Sequence, residues 1–391
     1  MNREAAPTCV VTHRAEQRLR AGHVWLYRGD VVQADARPGD IVSVVGPRRR
    51  TLGTALYSSQ SAIALRLLQR GASDLPASFW RDRLVRAIAY RDRLAIDATA
   101  YRLVHAEADL LPSLIVDRYG DYLAVQALSQ GIDRRLPSIV DTLGELMRPA
   151  GILARNDPRV RELEGLERDV ELLAGSVPDE VVVREGALEY GVDLRRGQKT
   201  GLFLDQRENR EMAGRYARGR ALDGFSYQGG FALQLARGAA SVVALESSAE
   251  AVSTLEANAR RNGITNVEAR EANVFDALRE LERGAERFDT IVLDPPAFAK
   301  SKAAVPRATA GYKEINLRAM KLLQPGGVLI TCTCSYHIGE PLFLDVVRAA
   351  AADAQARVTL VEKRMQARDH PVLLGVPETH YLTCLVLRRL V

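Results

Sequence analysis

From about residue 221 to the C-terminus, short apolar runs alternate with amphipathic stretches, the pattern of a parallel sheet covered by helices on both faces. The runs predict strands at 220–223, 241–246, 267–271, 290–294, 327–332, 358–363 and 381–387. Between them, residues 249–262 illustrate a helix: Ser248 can cap it, Leu255 and Ala259 share a face, and Gly263 stops it. The N-terminal pattern differs. Short strands at 10–11, 24–26, 31–32, 41–45, 54–56 and 62–68, broken by Pro38-Gly39 and Gly46-Pro47, predict a small β-barrel. After the polar break Gly71-Ala72-Ser73-Asp74, apolar residues Phe79, Leu84, Val85, Ile88 and Leu94 recur at helical spacing over 76–96. Strands at 101–107, 113–128 and 152–155, a helix at 134–147 and a hairpin at 181–194 complete a small α+β region. The reading is multidomain: a β-barrel at 1–74, an α+β linking domain at 75–194 and an α/β domain at 195–391.

Composition narrows the setting. A chain of 391 residues, 47% hydrophobic, is long enough for two or three cores. No run approaches the roughly twenty apolar residues needed to cross a bilayer, and the N-terminus, with Arg3, Glu4 and Pro7, lacks the apolar centre of a signal peptide. A cytoplasmic protein without membrane attachment is expected. Cysteines at 9, 332, 334 and 384 are too scattered for a disulfide framework, and Cys-x-Cys without a second ligand pair does not suit a metal. The net charge of +5 fits a polyanionic partner, yet the first seventy residues contain no lysine, so a coding bias toward arginine fits equally. Arg48, Arg49 and Arg50 follow Gly46-Pro47 in an expected exposed turn, either to meet a phosphate or simply as solvated surface.

The first α/β strand runs into Asp223-Gly224-Phe225-Ser226-Tyr227-Gln228-Gly229-Gly230-Phe231, and the next ends on Glu246. In such sheets ligands bind beyond the carboxyl ends of strands where the strand order reverses. Glu246 is placed to accept from two ribose hydroxyls. The glycine spacing is not the Gly-x-Gly-x-x-Gly of a dinucleotide site, and Asp223 beside a pyrophosphate would be repulsive, whereas beside a methionine ammonium it is attractive. Adenosylmethionine is therefore the favoured cofactor. Asn273 can reach an adenine amino group, cap a helix, or do both.

Asp294-Pro295-Pro296 ends the fourth strand in a rigid loop able to hold a flat base, and Thr331-Cys332-Thr333-Cys334-Ser335 ends the fifth. If the strand persists, Cys332 and Cys334 share a side. Carbon 5 of a pyrimidine is too weak a nucleophile to take a methyl from a sulfonium unaided. A thiolate adding to carbon 6, with Asp294 stabilising the ring at N3, makes it one. Cys334 is the candidate thiolate; Cys9 and Cys384 read as buried apolar residues. His337 and His370 admit both surface and proton-transfer roles.

At these motifs the chain resembles the bacterial 23S ribosomal RNA cytosine-carbon-5 methyltransferases, which combine a PUA domain, a small EEHEE domain and a Rossmann-like seven-stranded methyltransferase domain. The resemblance runs through residues 197–210 (Gly-Gln-Lys-Thr-Gly-Leu-Phe-Leu-Asp-Gln-Arg-Glu-Asn-Arg), 223–231, Asp294-Pro295-Pro296 with Phe298, Gly311-Tyr312-Lys313, 332–335 and Asp369-His370-Pro371. It implies S-adenosylmethionine bound by Phe203, Asp205, Gln206, Arg207, Asp223, Phe225, Ser226, Gly229, Gly230, Phe231, Glu246, Asn273 and Asp294. It also implies Cys334 as nucleophile, Asp294 orienting the cytosine, and contacts to RNA by Pro295, Pro296, Phe298, Lys199, Trp25 and Arg48 to Arg50. Related enzymes carry a second cysteine directly after Pro-Pro; Ala297 stands there, leaving the carbon 5 proton without a clear acceptor. The implied partner is ribosomal RNA, with a homodimer left open. Rival readings are a same-fold guanine methyltransferase and a noncatalytic RNA-binding assembly factor.

Overall fold

The computed structural model describes residues 7–71 and 74–391; Arg3 and Glu4, and the Ala72-Ser73 half of the polar break, lie outside the described residues. The chain forms two compact units. One comprises Met1–Val183, Val192–Leu204 and Arg368–Thr379, the other Arg184–Gly191, Asp205–Ala367 and His380–Val391.

The first unit contains two sheets. Strands β1 (Thr8–Val11), β2 (Trp25–Tyr27), β3 (Val31–Asp35), β4 (Ile41–Val45), β5 (Thr51–Tyr57) and β6 (Ile63–Arg70) lie in the order β2-β6-β5-β4-β1-β3. All pairs are antiparallel except β1 with β4. Alternating residues Val42, Val44, Leu65 and Leu67 turn inward onto Cys9, Leu26 and the apolar side of α1 (His13–Arg20). That helix has no counterpart in the sequence reading, because Ala15 and Leu19 are its only buried residues; Thr12 caps it by accepting the Ala15 amide at 3.2 Å.

Helix α2 (Phe79–Arg93) leads into β7 (Ala100–His105), β8 (Leu114–Tyr119), β9 (Tyr122–Ala127), α3 (Gln130–Asp133), α4 (Leu136–Met147), β10 (Gly151–Asn156), α5 (Val160–Leu163) and β11 (Asp169–Gly175). The sheet order is β11-β10-β9-β8-β7. Leu84 of α2 and Leu143 of α4 pack with Leu103, Val116 and Val125 of the strands. A buried network joins the two sheets: the Glu164 carboxylate pairs with Arg66 at 2.8 Å and accepts from the Ser58 hydroxyl at 2.6 Å. The hairpin β12 (Val181–Glu185) and β13 (Leu188–Val192) follows.

The second unit holds α6 (Arg207–Tyr216), β14 (Arg220–Gly224), α7 (Gly230–Ala236), β15 (Ser241–Glu246), α8 (Ala249–Arg261), β16 (Val267–Glu271), α9 (Val274–Arg283), β17 (Phe288–Leu293), α10 (Val305–Leu322), β18 (Leu323–Thr333), α11 (Glu340–Asp353), β19 (Val358–Arg364) and β20 (Thr383–Arg389). All seven expected strands are present, in the order β16-β15-β14-β17-β18-β20-β19, with β20 antiparallel to both its neighbours. Alternation along the buried strands builds a core on each face. Leu222, Val243, Ile291 and Leu329 face one; Ala221, Val242, Val292 and Ile330 face the other. Strand order reverses between β14 and β17, where the Asp294 amide donates to the Gly224 carbonyl at 3.3 Å.

Entry into α7 is fixed by an ion pair within this unit. Arg210 on α6 donates from Nε to Glu185 at 2.9 Å, both side chains are buried, and its Cδ lies where a β-carbon on Gly230 would sit. Burial works against the Arg210 charge, but the Glu185 carboxylate outweighs it and raises the guanidinium's pKa. Glu185→Ala removes the carboxylate paired with that buried cation, and should cost about 3–5 kcal/mol; an unchanged denaturant midpoint would show that the pair contributes nothing.

Candidate active site

The loop between β14 and α7 is built for close approach. Phe225 and Tyr227 both adopt left-handed backbone, φ 68° and 49°, conformations that side chains resist and that concentrate at functional sites. Gly229 follows at φ 88°, and a β-carbon there would sit 2.8 Å from Leu255 Cγ. Ser226 is buried and donates to the Asp223 backbone carbonyl at 2.8 Å. Phe231 packs its side chain into the core beside Met212 and Leu235, so only its backbone, with that of Gly230, belongs to the helix entrance.

Asp223 is fully buried, and neither carboxylate oxygen has a hydrogen-bond partner among the described residues. Burial pushes its pKa from 3.8 up to about 8; the Ser226 hydroxyl and Ala232 amide pull the other way, and the Asp294 charge adds to the rise. An orphaned buried carboxylate suits a cationic ligand. Glu246, at the end of β15, is half-buried and anchored by the Tyr227 amide at 2.9 Å, the Ser247 amide at 2.7 Å and the Ser248 amide at 3.0 Å. A carboxylate pinned by backbone donors is a rigid acceptor for a diol. Asn273 caps α9, its Oδ1 accepting the Phe275 amide at 3.0 Å and the Asp276 amide at 3.4 Å. The capping reading thus holds, and its oxygen is already engaged.

Across the switch point lies the second half of the site. Asp294 is half-buried and accepts from Gln206 Nε2 at 2.8 Å; Gln206 in turn accepts from Asn209 Nδ2 at 2.7 Å. Asp205 accepts from the Tyr381 hydroxyl at 2.9 Å, and Arg207 lies buried beside Glu208 at 3.9 Å. Pro295 is buried and Pro296 exposed. Phe298 packs against Tyr312, with ring centroids 4.6 Å apart, and Phe225 at 6.3 Å. Cys334 is half-buried, and its thiol lies 3.9 Å from the Pro295 carbonyl oxygen. It is the one thiol of the four that is not buried.

The condition for the two cysteines to share a side is not met. Strand β18 ends at Thr333, so alternation stops short of Cys334, and Cys332 sits in the core opposite Cys384 of β20. Its hydrogen bond with Cys384 and its burial hold the Cys332 thiol well above the ordinary range.

The remaining expected residues belong to the first unit. Lys199, itself in left-handed backbone, stands over the Phe203 ring at 4.4 Å. Trp25 spends its indole N–H on Glu107 at 3.0 Å, leaving only its ring for any ligand. Arg48, Arg49 and Arg50 are exposed on the β4–β5 turn and form no ion pair among the described residues. His370 is buried against Asp369, at 3.1 Å, and His105, at 5.1 Å between rings, so it is not a surface group. Sequence reasoning missed the support beneath the site: Tyr381 on Asp205, Asn209 behind Gln206, and the hydroxyls of Thr333 and Ser335 on Tyr312.

Known proteins bear on this arrangement. The family profile described as S-adenosylmethionine-dependent methyltransferase matches residues 128–376, and that of a PUA-like domain matches 10–70. Ribosomal RNA large subunit methyltransferase I of Tolumonas auensis is 39% identical over 95% of this chain and 97% of its own. A solved SAM-dependent methyltransferase from Streptococcus mutans superposes at TM-score 0.84, covering 97% of this chain and 99% of its own at 21% identity. Another solved methyltransferase, complexed with SAH, gives 0.85 with the same coverage and identity.

A cation beside Asp223 favours its ionised form, so cofactor affinity should weaken about tenfold per pH unit below 8. Because the carboxyl's pKa is raised by folding, the sign for the free protein is opposite: its stabilising contribution is full below about pH 4 and is lost as pH rises through about 8. Asp223→Asn should therefore raise the melting temperature of the free protein at pH 8 while abolishing the pH dependence of cofactor binding by calorimetry. Unaltered affinity across pH 6–8 in the native protein contradicts this. The orphaned Asp223, the pinned Glu246 and the strand order fit the cofactor that the profile names, and the chain belongs to the S-adenosylmethionine-dependent methyltransferase family, in the group that includes the ribosomal RNA large subunit methyltransferases I.

Proposed function

We propose that this chain methylates carbon 5 of a cytosine in 23S ribosomal RNA through a transient bond to Cys334. The observation that carries the reading is the half-exposed Cys334 thiol beside the Pro295 carbonyl, on the loop that begins with Asp294. The 39% identity to a ribosomal RNA large subunit methyltransferase I supports the substrate class.

S-adenosylmethionine supplies the methyl group from its sulfonium. On this reading Asp223 takes its ammonium, Glu246 its ribose hydroxyls and Asn273 its adenine edge. Phe225, Ser226 and Gly229 form the strained loop at its side and the backbone of Gly230 and Phe231 the helix entrance beyond it, while Asp205, Gln206 and Arg207 complete the pocket. Pro295, Pro296 and Phe298 back the base. Lys199, Trp25 and Arg48 to Arg50 meet the RNA, whose phosphates need positive charge more than sequence readout.

The Cys334 thiolate adds to carbon 6, forming a carbon–sulfur bond and moving the ring's double-bond electrons toward N3, where the Asp294 carboxyl donates a proton. Gln206 holds that carboxyl in place. Carbon 5 is then nucleophilic enough to accept the methyl group. Loss of the carbon 5 proton to solvent restores the double bond, the thiolate leaves carbon 6, and the N3 proton returns to Asp294. Cys332, buried and held protonated, does not serve as the base.

Cys334→Ala should lower turnover on 23S RNA by more than about a thousandfold, read as 5-methylcytidine by nucleoside mass spectrometry, with cofactor affinity kept. A variant that still makes 5-methylcytidine at a native rate, or a native enzyme whose product is a methylated guanine, sinks the proposal.

A further inference from the structure

We infer that Tyr312 is a positioning residue that locks the Cys334 loop to the Asp294-Pro295-Pro296 loop; this rests on the nucleophile reading given above. Tyr312 lies on α10 and is fully buried. Its hydroxyl oxygen accepts from Thr333 Oγ1 at 2.9 Å and bonds Ser335 Oγ at 3.0 Å. These are the residues on either side of Cys334, and both are buried. The Ser335 amide closes back on Thr333 Oγ1 at 3.2 Å, and Ser335 Oγ accepts the Ala299 amide, at the end of the Pro-Pro loop, at 3.3 Å. On its other side the Tyr312 ring lies against Phe298 of that loop.

The hydrogens can be followed round this circuit. Ser335 N–H serves Thr333, the Thr333 hydroxyl serves Tyr312, and the Tyr312 and Ser335 hydroxyls share the third bond, which either can donate. One phenol therefore fixes both flanks of the cysteine and the far end of the loop that bears the acid. Burial pushes the Tyr312 hydroxyl up to about 12, so it stays protonated and able to donate throughout the working range. Without that hydroxyl, Thr333 and Ser335 lose the partner they share across Cys334, just where strand β18 ends. A sub-ångström drift of the sulfur from carbon 6 affects bond formation and leaves ground-state binding alone.

The test uses the full-length enzyme with 23S RNA and S-adenosylmethionine. Tyr312→Phe keeps the ring and removes the hydroxyl; kcat should fall on the order of a hundredfold, with RNA KM and cofactor Kd within about threefold of wild type. Thr333→Val should reproduce the loss, and Thr333→Ser, which keeps the hydroxyl, should retain turnover. Should Tyr312→Phe fail to fold, the two Thr333 variants decide on the same terms. A kcat within about threefold of wild type for Tyr312→Phe or Thr333→Val overturns the inference, as does a loss of cofactor and RNA binding in proportion to the loss of rate. Cys334→Ala run alongside separates the two claims. If it remains active, the nucleophile reading falls and this one with it; if it is dead while Tyr312→Phe is normal, only this one falls.

Discussion

The burial of the Asp223 carboxyl near the end of β14, without a hydrogen-bond partner among the described residues, carries a desolvation cost that the fold must bear, and the rest of the site is arranged round it. A second carboxylate, Asp294, ends the neighbouring strand β17 on the other side of the order reversal. The Asp294 charge raises the cost of ionising Asp223, and the sheet cannot relax them apart because the Asp294 amide is bonded to Gly224. Only the two cores packed on the faces of the sheet make so unfavourable a placement tolerable. A site that holds an unpartnered carboxyl in a rigid cradle discriminates for a cation, because a cation offsets the cost of ionising it.

The order reversal also divides labour. Strands β14 and β15 carry Asp223 and Glu246, groups suited to an amine and a diol; β17 and β18 are followed directly by Asp294 and Cys334, groups suited to acid and nucleophile. Gln206, entering from the segment before α6, bonds Asp294 and thereby ties the distinctive stretch at 197–210 to the chemistry. The same stretch contributes Arg210, whose ion pair with Glu185 fixes the start of α7. Two residues of one short stretch, Gln206 and Arg210, thus have separate physical duties.

Much of this was legible in the residue order. Strands buried on both faces announce themselves as short apolar runs, and so β15 was placed to the residue, while β18 starts before its apolar centre because Leu323 pairs with Phe288 ahead of the run that begins at Val328. Helix α1 was invisible because His-Arg-Ala-Glu-Gln-Arg-Leu-Arg offers two apolar positions in two turns, and β11 because it is a largely exposed edge strand. The site's charged and sulfur groups could be picked out because carboxylates and thiols at strand ends are chemically conspicuous. The hydroxyls of Tyr312, Thr333 and Ser335 carry no periodicity and no charge, so only three-dimensional proximity reveals them. The expectation that Cys332 would join Cys334 assumed a strand that in fact stops one residue too soon.

The central claim is that sulfur of Cys334 bonds carbon 6 of a cytosine. It is tested most directly by incubating the enzyme and S-adenosylmethionine with 23S RNA carrying 5-fluorocytidine, where the proton that must leave carbon 5 is replaced by fluorine. The account predicts a denaturation-resistant protein–RNA adduct that peptide mapping assigns to Cys334. A substrate that is bound but never trapped, or an adduct on any other residue, contradicts it.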